Sequence, residues 1–217
     1  MSQTSDEHAG RAAAGRRRRA ETRARIIAAA FVIFGDENGL LARIEDIADQ
    51  AGVTRATFYN HFAGMIELRE ALTHEVTHNF LEAVTLTIAP LPDPRDRSAV
   101  AIRYYLRRAG SDQRWGWSMV NLSATGLIFG AETYNQAGQT VREGIDAGVF
   151  SIASVDLGRD ILLGSCLAAL GTILRQSAPT DYPEAVAGHI LVALGVPHDE
   201  AKQIAHQPLP DLATPPD

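Results

Sequence analysis

Cysteine is almost absent from this 217-residue chain. With Cys166 as its one thiol, no intrachain disulfide can form, and there is no CxxC or Cys/His array to hold a structural metal. Aromatic residues amount to only 6%, and strand signals are scarce. The apolar stretch Ile26 to Phe34 follows Arg16 to Arg19 in the manner of a signal peptide, but it has nine residues against the roughly 20 that span a bilayer. Gly35-Asp36-Glu37 then stands where a cleavage site of small residues would be. No Ser or Cys nucleophile motif, phosphate loop or dinucleotide fingerprint is found. The expectation is a cytoplasmic protein without membrane segment, cofactor or catalytic residues.

What the chain does contain is alanine and helix periodicity. Hydrophobic residues make up 46% with Ala dominating, which favours an all-α fold because Ala loses no side-chain entropy in a helix. Net charge is -6, unevenly divided. Residues 1–62 carry nine Arg against eight acidic residues, whereas residues 63–217 carry eleven basic against eighteen acidic ones. Such asymmetry points to different jobs for the two parts. The expected organisation is a disordered basic arm over 1–19, a helical unit over 20–65, a second over 66–206 and a disordered Pro-rich tail over 207–217.

Ile27, Ala30, Phe31 and Phe34 form the buried stripe of a first helix beginning near Glu21, ended by Gly35 and Asn38-Gly39. Ile44, Ile47, Ala48 and Ala51 repeat the pattern over eight residues, and Gly52 stands where a left-handed cap is needed. Thr54 offers an N-cap oxygen to a third short helix. A long helix comes next, from Met65 to about Ala89, ended by Pro90, Pro92 and Pro94. Further helices are expected near 93–110, 111–124, 128–147, 155–176, 183–194 and 199–206.

Counted from Ile44, Ala48 is fifth, Gly52 ninth, Val53 tenth and Phe58 fifteenth, the spacing of a helix-turn-helix. Two short helices crossing steeply need a small residue at closest approach, a turn residue that tolerates positive φ, and apolar anchors that hold the second helix outward. Its outer face then carries Arg55, Thr57, Tyr59, Asn60 and His61, none of them acidic. Thr57 and Asn60 suit base edges, Arg55 suits a base edge or a phosphate, Tyr59 and His61 suit phosphates, and Arg43 can clamp a further phosphate. The Arg16 to Arg19 run can add phosphate or minor-groove contacts.

With IEDIADQAGVTRATFYNHF at its centre, the stretch 22–72 resembles the tetracycline-repressor (TetR) family of transcription regulators. The resemblance implies DNA contacts at Thr54, Arg55, Ala56, Thr57, Tyr59, Asn60 and His61. It also implies a homodimer on a palindromic double-stranded operator, and a repressor released by a small-molecule effector held in the C-terminal helices. Met65 after Gly64 departs from the Lys usual in the family at the start of the fourth helix.

A competing motif is His74-Glu75-Val76-Thr77-His78, an HExxH pattern in which two His on one helical face bind zinc and the Glu acts as base. No companion motif supplies a third ligand, so no metal is assigned. A metal-responsive regulator using His74 and His78, or a zinc-dependent hydrolase, stands as the alternative. For dimerisation, 155–176 and 183–194 offer apolar and small residues suited to a four-helix interface. For the effector the candidates are Phe80, Tyr104, Trp115, Trp117, Met119, Phe129 and Tyr134.

Overall fold

The computed structural model describes residues 3–124, 128–175 and 178–215. Residues 1–2 of the expected arm, Gln176 at the end of an expected helix and residues 216–217 of the expected tail lie outside these described residues. Among the described residues all regular structure is helical: α1 (Gln3–Phe34), a 3-10 turn (Gly39–Leu41), α2 (Ile44–Ala51), α3 (Arg55–Tyr59), α4 (Met65–Ile88), α5 (Pro94–Ser111), α6 (Gln113–Ser123), α7 (Gly130–Asp146), α8 (Val155–Leu174), α9 (Tyr182–Ala193) and α10 (His198–Ala205).

The head is built by α1, α2 and α3 around Ile26, Ala30, Phe34, Ile47, Phe58 and Phe62, each at most 1% exposed. Leu68 and Leu72 of α4 complete that cluster, and the opposite end of the same helix, through Val84 and Ile88, belongs to the body. At 24 residues α4 is about 36 Å long, so one helix reaches from the head to the body within one continuous core. In the body, α8 packs against α5, α6, α7 and α9. It is apolar and long enough to cross a membrane by composition (mean hydropathy 1.5), yet only 44% of it is buried within the chain.

Two expectations of disorder meet ordered structure. The basic arm continues α1 as helix from Gln3. Its Ala- and Arg-rich sequence propagates a helix already nucleated in the core, and Arg17 pairs with Glu21 one turn on at 3.3 Å. The tail after α10 lies along the body without regular structure: Leu209 packs on the core, Arg103 Nη1 donates to Gln207 O at 2.8 Å, and Ala213 N donates to Thr87 Oγ1 at 2.8 Å. The Tyr104 hydroxyl donates to Pro210 O. Proline-rich chain needs no partner strand or helix when its carbonyls are taken by side chains.

Candidate functional site

The turn between α2 and α3 depends on Gly52, whose φ of 63° and ψ of 40° are left-handed. Val53 N then returns to Ala48 O at 3.0 Å, and Ala48 is buried where the helices meet. Thr54 Oγ1 accepts from Thr57 N at 3.1 Å, which caps α3. Phe58 and Phe62 anchor α3 from below, with ring centroids 5.7 Å apart. As a result Thr54, Arg55, Ala56, Tyr59 and Asn60 are exposed, and Thr57 and His61 half-exposed, along one outward face.

The basic groups of that face have acidic neighbours. Arg55 Nη1 lies 2.9 Å from Glu45 Oε1 while its guanidinium sits 5.7 Å from the Tyr59 ring centre. Arg43 holds Asp46 through Nε at 3.3 Å and Nη2 at 3.2 Å, and its backbone N–H donates to the same carboxylate at 2.9 Å. Those bonds from Arg43 pull the Asp46 carboxyl below its ordinary value. An Arg43 phosphate clamp therefore has to share its guanidinium with Asp46. Arg19 Nη2 reaches across to Asn60 O at 2.9 Å, and Arg23 covers the Phe62 ring at 4.9 Å, so α1 brings its arginines to the end of α3. Burial, reinforced by the charges of Arg19 and Arg23, pushes His61 below the ordinary histidine value. Its Nδ1 is enclosed with no hydrogen-bond partner among the described residues.

Behind the head, a cavity of about 60 Å³ opens between α4, α5, α7 and α8. Val84, Ile88, Ala101, Ile102, Phe129, Leu162 and Leu163 make most of its wall apolar, and Thr85, Arg97, Ser98, Thr133, Gln136, Thr140 and Cys166 also line it. Tyr105 also lines it, its hydroxyl 3.0 Å from Thr133 Oγ1. Ser98 Oγ is buried without a partner among the described residues. Burial pushes the Cys166 thiol up to about 12, so it acts as an apolar wall.

Of the aromatics proposed for an effector, only Phe129 lines this cavity. Phe80 and Trp115 stack edge to face at 5.3 Å in the core, with Trp115 Nε1 donating to Val76 O, and Met119 is buried beside them. Tyr104 holds the tail, Trp117 lies under Arg175, and Tyr134 lies under Arg159. The opening lies where aliphatic and polar side chains from four helices face one another, with Tyr105 and Phe129 as the rings on its wall. Only their assembly reveals it.

The HExxH pattern divides between two faces of α4. His74 Nδ1 and His78 Nδ1 lie 3.2 Å and 3.1 Å from the two carboxylate oxygens of Glu132 in the first turn of α7. An acidic third neighbour thus stands beside the two histidines where sequence spacing offered none. Glu75 lines a separate groove against α1, with Ala20, Arg23 and Phe31. Glu75 is thus not among the side chains that cluster with the two histidines.

The outward side of α8 and α9 forms a shallow groove of Ser165, Ala168, Thr172, Val186 and Ile190. Leu157 and Val192 on the same two helices remain 45% and 37% exposed.

Comparison with known proteins agrees with this geometry. The family model described as "Bacterial regulatory proteins, tetR family" matches residues 26–72, and "Tetracyclin repressor-like, C-terminal domain" matches residues 93–207. The transcriptional activator FasR of Mycolicibacterium smegmatis is 28% identical over 204 residues, covering 85% of this chain and 89% of its own. The crystal structure of RolR without ligand superposes with a TM-score of 0.73 at 26% identity over 88% of this chain and 100% of that one. RolR in complex with resorcinol gives 0.68 at 25% identity over 91% and 99%.

Proposed function

This chain belongs to the TetR family of bacterial transcription regulators, and from that premise we propose that it is a homodimeric repressor whose operator is an inverted repeat and whose release is driven by a small, mainly apolar effector. Arg55, Thr57 and Asn60 read base edges, with Thr54 and Ala56 against the groove. Tyr59, His61 and Arg43 set the register on phosphates, and the α1 arginines add to the electrostatic attraction. Dimerisation uses the groove face of α8 and α9, where small residues allow close helix approach. A dyad through that face pairs two recognition helices with matching half-sites.

The observation that carries the reading is the course of α4. Leu68 and Leu72 belong to the head's core, and Val84 and Ile88 wall the cavity. At about 60 Å³ the cavity holds no more than a few waters. An effector must therefore select a state in which the walls, α4 among them, stand further apart. Its binding energy is differential between the two states, which is what shifts their populations. The resorcinol bound by RolR supports a ligand of this size class. Whether occupancy of the operator lowers or raises transcription depends on where it lies relative to the promoter. A promoter reporter with and without the regulator reads that sign, and a rise on operator binding would replace repressor by activator.

Selection of bound sequences from random DNA at low salt tests the first half, with an inverted repeat as the expected outcome. Ala101→Phe tests the second, because it fills the cavity from α5 and should keep operator binding while abolishing effector-driven release. Enrichment of no sequence, or of an asymmetric single site, would end the proposal.

A further inference from the structure

We propose that His74, His78 and Glu132 form a binding site for a divalent first-row transition ion, which clips α4 to the first turn of α7. The two histidines are one turn apart on α4, with ring centroids 4.8 Å apart. The ligand atoms of the three residues all lie within 4.8 Å of one another. In a tetrahedral site with metal bonds of 2.0–2.1 Å, neighbouring ligand atoms stand about 3.3 Å apart. The contacts of 3.2 and 3.1 Å from each imidazole to Glu132 are already at that spacing. An ion placed among them replaces the hydrogen bonds that now join the imidazoles to the carboxylate. Two imidazoles and one carboxylate suit zinc, nickel or cobalt rather than magnesium or calcium, which prefer oxygen donors throughout. All three side chains are exposed, so a hydrated ion can reach them and keep a water ligand.

The backbone that presents Glu132 is built for close approach. Phe129 and Gly130 have positive φ values of 61° and 83°, turning the chain into α7. A Cβ on Gly130 would stand 2.5 Å from Thr73 Cγ2 of α4 on a backbone of positive φ, so a larger residue here is strained and pushes Thr73 aside. The pair His74 and His78 lies about two and a half to three and a half turns along α4 from Met65, just past Leu72, and Thr133, next to Glu132, lines the effector cavity. A bound ion therefore joins the helix that carries the reading head to a wall of the cavity.

The test uses the full-length protein without a polyhistidine tag, stripped with chelator and titrated with zinc by calorimetry and with cobalt by visible absorption. We expect about one ion per chain and the intense absorption of four-coordinate cobalt. His78→Ala and Glu132→Gln should each weaken binding about tenfold or more while leaving the helical circular dichroism intact, since both side chains are exposed. His198→Ala, at a separate surface groove with His189 and His206, should change nothing. Saturating zinc should raise the melting temperature of the wild type and not of Glu132→Gln. Absence of binding at millimolar metal, wild-type affinity in the His78 and Glu132 variants, or loss of binding with His198→Ala would overturn the site. An effect of zinc on effector-driven operator release rests on the proposed function, and is measured separately from the titration so that either can fail alone.

Discussion

The side-chain amide of Asn121 donates one hydrogen to Phe34 O at 2.9 Å and the other to Asp36 O at 2.8 Å, so α6 caps the end of α1. Arg69 Nη1 of α4 donates in turn to Asn121 O at 2.9 Å, while its guanidinium covers the Phe34 ring at 4.4 Å. Head, α4 and body are tied at one residue that is only 3% exposed. Asn121→Leu would leave two carbonyls without their donor in a closed site, at a cost of about 1–3 kcal/mol. Denaturant unfolding should show this loss, and effector titration should show weaker coupling between cavity and operator. Native stability together with native release would remove Asn121 from the coupling.

Arg55 and Thr57 are expected to act on different terms of DNA affinity. Arg55 can leave Glu45 for a phosphate or a guanine, so Arg55→Ala should weaken binding and flatten the dependence of log K on log salt by about one phosphate's worth if phosphate is its partner. Thr57→Val keeps shape and charge, and should relax preference at one base pair by about 1–3 kcal/mol with the salt slope unchanged. Binding isotherms over a salt series separate the two. Identical slopes for both variants and the wild type would place Arg55 off the backbone.

His61 makes the head sensitive to acid. Its folded value lies below the ordinary 6.5 because burial and the arginines of α1 disfavour the imidazolium. The unfolded chain then binds the proton preferentially, so the stabilisation is complete above that ordinary value and is lost as pH falls through the folded one. The melting temperature should drop as pH is lowered from about 7.5 to 5.5, and His61→Gln should lose less over the same range. Parallel curves for the two proteins would show that His61 contributes nothing to the fall.

Glu184 joins α9 to α5 by accepting from Arg103 Nε at 3.0 Å and Arg107 Nη2 at 2.6 Å. Burial acts to raise its carboxyl, but hydrogen bonds from Arg107 and Arg103 and from its own backbone hold it below the ordinary value. Glu184→Ala strands Arg103, which is 4% exposed, and should cost about 3–5 kcal/mol. Since Arg103 also holds Gln207 O, limited proteolysis should release the tail faster in this variant. A variant as stable as the wild type would mean that water reaches Arg103.

Much of the head was legible because its rules are local. Gly52 needs a left-handed turn, Thr54 caps the third helix, and Phe58 and Phe62 fall on one side of it, all within a few residues. Asp93 and Pro94 announced the start of α5 in the same way. The cavity was not legible, since Ser98, Thr133 and Cys166 carry no shared pattern and their helices meet only in the folded body. Nor was the neighbour of the HExxH histidines, because Glu132 is 54 residues from His78 and belongs to no motif with it.

By itself the amino-acid order determined that the chain is helical, where α2, α4 and α5 begin and end to within a residue, and which short helix turns a polar face outward. Periodicity, capping and turn chemistry operate within one or two helical turns. Tertiary structure alone decided that the tail is held along the body, that a cavity opens between α4, α5, α7 and α8, and that Glu132 stands over His74 and His78. Those outcomes depend on which faces of distant helices come within a few ångströms, and only the packing of the whole chain sets such distances.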